Sequence, residues 1–191
     1  MLRNLLKNLD YPVAAPSANI SSRLSSVKPS DVKEEFGSKI KYILNGGKSK
    51  IGVESTILNL LEKPSLLRYG GLDTKKIENV LKKKLLINTN SKKKLSPGLF
   101  PLHYSPGLPL RINVKKPKKD EAYLLIKKRK SKLKNYYYLS KVKNIKEAAK
   151  NLYSTLRKIK NDGFKKIAVE KIPNKGLGKT INDRLKRDSK Y

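Results

Sequence analysis

Residues 95–107 carry three prolines and two glycines, and they constrain the fold more than any other stretch of the chain. Proline fixes φ and has no amide proton to give, so this stretch can be neither a helix nor a central strand. It reads as an extended, stiff connector. The chain is therefore expected to form two units: residues 1–90, an interdomain linker over 91–107, and residues 108–191.

The apolar patterning supports that division. Before the connector, apolar residues at 2, 5, 6 and 9 make a helical face. Val13-Ala14-Ala15 reads as a short buried strand running into Pro16. Residues 17–30 read as a serine-rich loop, and Ser30 as the N-cap of a helix with Val32, Phe36 and Ile40 along its stripe. Tyr42-Ile43-Leu44 reads as a strand closed by Asn45-Gly46-Gly47. Residues 55–61 and 65–69 are β-rich, and Asp73-Thr74 caps a helix over 75–85. Beyond the connector, residues 108–114, 122–126, 136–139 and 165–170 read as strands. Residues 145–159 form an amphipathic helix and 177–185 a last one. This alternation predicts an α/β fold with a crossover connection in the second unit.

The formal net charge is +31, which invites a nucleic-acid partner. Lysine supplies most of it, while arginine, which reads phosphates and bases bidentately, is sparse. The lysines are spread along most of the chain, and Lys, Ile, Asn, Leu and Tyr are together abundant, as an AT-rich genome imposes on solvated faces. Non-specific RNA affinity at low salt follows from net charge alone. With no cysteine and only His103 as histidine, thiolate and histidine-rich metal sites are excluded. No apolar run approaches the ~20 residues that cross a bilayer. The first residues resemble no signal peptide, so a cytoplasmic protein with no membrane partner is expected.

Two short motifs could carry chemistry. Pro16-Ser17-Ala18-Asn19 follows an expected strand, where α/β proteins place ligand loops. Its hydroxyl and carboxamide can meet phosphate or carboxylate oxygens without adding charge. Alone, it reads more simply as an Asx or Ser turn. Gly52-Val53-Glu54-Ser55-Thr56 puts two hydroxyls at a strand start, and alone reads as a plain strand edge. Arg68, just before Gly70-Gly71, is a cation placed for a phosphate or for a surface ion pair. His103 and Tyr104 lie in the connector.

The order of these motifs is more specific than any one of them. Pro-Ser-Ala-Asn, a serine-rich loop, Gly-Val-Glu-Ser-Thr, Leu-Arg-x-Gly, then Ser-Pro-Gly with His-Tyr-x-Pro resembles the YrdC-type threonylcarbamoyl-AMP synthases. The closing Gly176-Leu177-Gly178 and Asn182-Asp183-Arg184-Leu185 resemble the end of the domain appended in their longer form. The resemblance implies part of a YrdC-like twisted-sheet domain over 1–90 and a small, Rossmann-like α/β domain over 108–191. It implies an enzyme, a nucleotidyltransferase, that makes threonylcarbamoyl-adenylate and pyrophosphate from L-threonine, bicarbonate and ATP. Mg²⁺ would accompany the ATP, and the product would serve tRNA-modification machinery. By the same resemblance Ser17 and Ser55 would meet threonine, and Asn19, Ser25, Arg68 and Tyr104 would meet ATP. A covered pocket suits this chemistry, because carbamates and mixed anhydrides decompose in water.

Two departures qualify the match. The glycine and threonine usual after the Asn motif are absent from Ser21-Ser22-Arg23-Leu24-Ser25-Ser26-Val27, where Ser25 is the stand-in. The family's early phosphate-binding Lys-x-Arg has no counterpart in residues 2–19, so these residues are expected to form the back half of the catalytic domain with little activity alone. The alternative is a non-catalytic basic RNA- or ribosome-binding module, with Tyr136-Tyr137-Tyr138 available to stack on bases.

Overall fold

The structure is a computed structural model that describes residues 1–61, 63–89, 104–130 and 133–188. Most of the connector, His103 included, lies outside the described residues. The fold is α/β and holds two sheets. In chain order the elements are α1 (Leu2–Leu6), α2 (Pro29–Phe36), β1 (Ile57–Asn59), β2 (Ser65–Arg68), α3 (Thr74–Leu81) and β3 (Leu86–Ile87). Then follow β4 (Leu110–Arg111), β5 (Ala122–Lys127), β6 (Tyr136–Ser140), α4 (Ile145–Asn161), β7 (Ile167–Val169) and α5 (Leu177–Asp188).

The first sheet has the order β1-β2-β3. β1 runs antiparallel to β2, and the two-residue β3, which the sequence reading passes over, runs parallel to it. Asp73 caps α3 by accepting from the Lys75 amide, and the helix stops four residues short of expectation when Lys82 turns left-handed at φ 50°. α2 starts two residues earlier than expected: Lys28 and not Ser30 is the N-cap, and Pro29 takes N1, where its missing N–H costs nothing. Asp31 then accepts from the amides of Val27 and Lys28, at 2.9 and 3.2 Å.

Two expected strands are absent. Val13, Ala14, Ala15, Tyr42 and Leu44 are exposed and in no ladder. A strand needs a hydrogen-bonding neighbour and a covered face, and no described segment provides either for them. α1 forms, but its apolar residues are exposed as well, because no element among the described residues covers its stripe.

The second sheet has the order β4-β7-β5-β6 with every pairing parallel. Its strands β5 and β7 read as continuous buried runs, as parallel strands do. α4 lies on one face and buries Ala148, Ala149, Leu152, Tyr153, Leu156 and Ile159, and α5 packs on α4. Each fully buried Leu or Ile here is worth about 1.5–3 kcal/mol. The same core takes in Leu24 and Val27 from the first unit and Tyr104 from the connector. The two units are thus joined through one apolar core.

Candidate functional site

The seam between the units holds a buried polar cluster, built from segments far apart in sequence. Gly52 starts it. Its φ of 80° lies in the left-handed region, and a Cβ there would overlap the Lys150 backbone of α4. This close approach brings the next residues of the segment onto α4 and α5. Glu54 Oε2 meets Arg184 Nε at 3.0 Å and Nη2 at 2.9 Å. Its carboxylate also accepts from Tyr153 Oη at 2.9 and 3.0 Å, and from Ser25 Oγ at 2.6 Å. Arg184 further donates to the Tyr69 carbonyl at 2.7 Å, and Thr180 Oγ1 donates to the Gly70 carbonyl at 2.8 Å.

The charges follow from this wiring. Burial pulls the Glu54 carboxyl upward, but the Arg184 charge and the hydrogen bonds from Ser25 and Tyr153 outweigh it and hold it below the ordinary value. Burial pushes the Tyr153 and Tyr104 phenols up, so both stay protonated. Burial works against the Arg184 cation, yet its neighbours Tyr153 and Glu54 leave it held more firmly than in water.

Arg68 forms the other side of the cluster. Its Nε donates to the Ser55 carbonyl at 3.1 Å, its Nη2 to Ser55 Oγ at 3.1 Å and its Nη1 to Tyr104 Oη at 3.3 Å. Tyr104 sits at φ 69°, buried, with its ring 4.4 Å from the Arg184 guanidinium and stacked beside Tyr153 at 6.0 Å. Four of the six residues expected at the site, Ser25, Ser55, Arg68 and Tyr104, therefore meet in one network. Ser17 and Asn19 do not join it. Among the described residues their hydrogen bonds stay within residues 17–23, with Asn19 Nδ2 donating to the Ile20 and Arg23 carbonyls. Asn19 Oδ1 is buried without a partner.

Sequence reasoning missed the hub itself. Glu54 was visible only as the middle of Gly-Val-Glu-Ser-Thr, and Tyr153 only as part of the α4 stripe. Arg184 carried a signal: on α5 it shares the buried face with Thr180, Ile181 and Leu185, an odd place for a cation unless it has a partner.

Ser55 also borders an open groove of about 770 Å³ lined by Val53, Thr56, Leu58, Leu72, Ile77 and Val80 among others. Two of these apolar side chains are well exposed, Leu72 at 52 % and Val80 at 83 %. Among the described residues no group of three His, Cys, Asp or Glu gathers, and Glu54 is already bonded by three side chains. These residues do not make a seat for Mg²⁺. No helix of the described residues is long and apolar enough to cross a membrane.

Fold and site together define a two-sheet α/β protein whose polar site lies at the seam of two units. Residues 72–189 match the family described as threonylcarbamoyl-AMP synthase, C-terminal domain, and residues 1–70 match the one described as telomere recombination. The threonylcarbamoyl-AMP synthase of Pyrococcus abyssi is 34 % identical, over 98 % of this chain and 60 % of its own length. That of Bacillus subtilis is 30 % identical, over 95 % of this chain and 58 % of its own. The crystal structure of Pyrococcus abyssi Sua5 with L-threonine superposes with a TM-score of 0.82 at 31 % identity, covering 95 % of this chain and 59 % of that one. The chain belongs to the threonylcarbamoyl-AMP synthase family. It spans about 60 % of the length of the relatives it matches.

Proposed function

We propose that these residues supply one wall of the pocket of a threonylcarbamoyl-AMP synthase, with the appended domain behind it. The observation that carries this is the convergence of Ser55 and Tyr104, from two other segments, on the Arg68 guanidinium. In the reaction, the threonine amine and bicarbonate give N-carboxythreonine and water. A carbamate oxygen then attacks the α-phosphorus of ATP, and pyrophosphate leaves. No protein nucleophile is required, so catalysis rests on orientation and charge neutralisation.

In this reading Ser17 and Ser55 contact threonine, while Asn19, Ser25, Arg68 and Tyr104 contact ATP. Asn19 Oδ1, buried and without a partner, suits a donor on the nucleotide. Ser25 already gives its proton to Glu54 and offers only lone pairs. Any Mg²⁺ would arrive on the triphosphate. The apolar groove beside Ser55 is the surface on which the rest of the relatives' catalytic unit would pack. The first sheet then belongs to a YrdC-like twisted sheet, Tyr104 at the described end of the linker belongs to the cover of the pocket, and residues from 108 onward belong to a Rossmann-like domain. The product would feed tRNA modification in the cytoplasm.

The test is a fusion of the part of the Pyrococcus abyssi enzyme that this chain does not span to these 191 residues. Pyrophosphate release that requires both threonine and bicarbonate is expected, with much less from the 191 residues alone and a loss of at least about tenfold in Arg68→Ala. A folded fusion that releases none would overturn the reading.

A further inference from the structure

The parallel sheet has a second face, opposite α4, and topology decides what covers it. β4 to β5 and β5 to β6 both step towards the β6 edge of the sheet, whereas β6 to β7 steps back through α4. Parallel crossovers are right-handed, so steps in opposite directions lie on opposite faces. The described parts of these crossovers, 112–121, 128–130 and 133–135, therefore share the face that α4 leaves open. The side chains agree: Tyr123 Oη donates to the Val114 and Lys115 carbonyls, and Tyr138 Oη donates to the Arg129 carbonyl. Beneath lies a small apolar layer of Tyr123, Leu125 and Ala168, with Val114, Tyr136 and Tyr138 at its margin. Parallel sheets ordinarily bury both faces under helices. Two short irregular crossovers do so here.

Those crossovers concentrate charge. Positions 115–134 hold ten Lys or Arg against two acidic residues, in a chain with 46 Lys or Arg among 191. This is about half of the stretch against about a quarter of the whole, so a uniform composition bias does not account for it. Two of the carboxylates nearby are taken by cations outside the stretch and a third by Arg129 within it. Glu121 pairs with Arg111 at 2.7 Å, Asp120 with Lys166 at 2.9 Å and Glu170 with Arg129 at 2.6 Å. Lys115, Lys116, Lys119, Lys128, Lys130 and Lys134 are exposed.

We propose that this face binds the phosphate backbone of RNA, without reading sequence. Flexible ammonium groups serve as point charges for phosphate rather than as forks for base edges. An anionic membrane would need apolar anchoring as well as charge. Among the described residues of the two crossovers, Leu133 is the only exposed large apolar side chain, and the Tyr136 and Tyr138 rings are partly buried. The choice of RNA among polyanions rests on the tRNA-serving reading above. The site itself rests on the sheet face and its charge.

The test titrates fluorescently labelled, unmodified tRNA with the full chain between 50 and 200 mM salt, with neither ATP nor threonine present. The quadruple variant Lys115→Gln, Lys116→Gln, Lys128→Gln, Lys130→Gln is compared with Lys75→Gln, Lys76→Gln, Lys82→Gln, Lys83→Gln, which removes equal charge around α3. The first is expected to weaken binding roughly tenfold or more at 150 mM salt and to flatten the log–log salt slope by up to about 3.6. The second is expected to change affinity by less than about threefold. Bound tRNA should also protect the first four lysines of the unsubstituted chain from acetylation, a readout that needs no variant to fold. Equal weakening by both sets, absence of protection, or tighter binding to phosphatidylserine vesicles than to tRNA would each overturn the proposal. Because no substrate of the synthase is present, failure here leaves the pyrophosphate test standing, and the converse holds.

Discussion

The Arg184 guanidinium lies 4.4 Å from the centroid of the Tyr104 ring while its Nε and Nη2 hold Glu54. One side chain of α5 thus ties the end of the connector to the Gly52–Thr56 segment of the first unit. α5 therefore belongs to the same polar cluster as Ser55 and Arg68.

Breaking this pair from either side should be costly, because the remaining charge stays buried. Arg184→Met and Glu54→Gln are each expected to lose about 3–5 kcal/mol in urea unfolding. The double variant should lose clearly less than the sum, since neither charge is then stranded. Additive losses would show that the pair is not coupled.

Tyr104 separates packing from hydrogen bonding. Tyr104→Phe keeps the ring beside Tyr153 and under Arg184 and gives up the bond from Arg68. It should cost about 0.5–1.5 kcal/mol. Tyr104→Ala removes the ring and should cost about 3–5 kcal/mol. Thermal unfolding followed by circular dichroism gives both values. In the fusion enzyme, Tyr104→Phe should raise KM for ATP more than it lowers kcat if the hydroxyl serves binding alone.

Glu54 sets a pH dependence with a definite sign. Its folded-state pKa lies below the ordinary value of 4.5, with Arg184 and the Ser25 and Tyr153 hydroxyls outweighing burial. The stabilisation is therefore complete above about pH 5 and is lost as pH falls through the depressed folded value. Glu121, held down chiefly by its hydrogen bonds from Arg111, works in the same direction. Urea midpoints measured from pH 6 to pH 2.5 should fall on the acid side, and the fall should be shallower in Glu54→Gln.

The second unit was largely legible in the sequence and the first only in part. α4 carries apolar residues at helical spacing over 17 residues, β5 is a continuous buried run, and β6, the next strand in sequence, pairs with it at the sheet edge. Such elements state their own burial. Val13-Ala14-Ala15 and Tyr42-Ile43-Leu44 have strand composition, but a ladder depends on a neighbour that local sequence does not name. The site behaves likewise. Ser55 and Arg68 were found through the order of motifs, whereas the Glu54–Arg184 pair spans 130 positions and exists only once α5 packs against the first unit.

Gly52 tests whether that packing is what assembles the site. The residue needs its left-handed φ of 80°, and a Cβ would overlap the Lys150 carbonyl on α4. Gly52→Ala therefore meets two costs, backbone strain of about 1 kcal/mol or more and displacement of a helix backbone that cannot rotate aside as a side chain could. The seam should yield before the helix does, because α4 is fixed to its sheet along its whole buried face. A loss of about 2–4 kcal/mol is expected, with the Glu54 contacts to Tyr153 and Arg184 opening together. Amide hydrogen exchange reports this directly: faster exchange confined to residues 49–56 and the turn of α5 that carries Arg184, with α4 and β5 still protected, is the expected pattern. Uniform acceleration across the second unit would show instead that the seam and the parallel sheet unfold as one body, and that the site cannot open without the domain behind it.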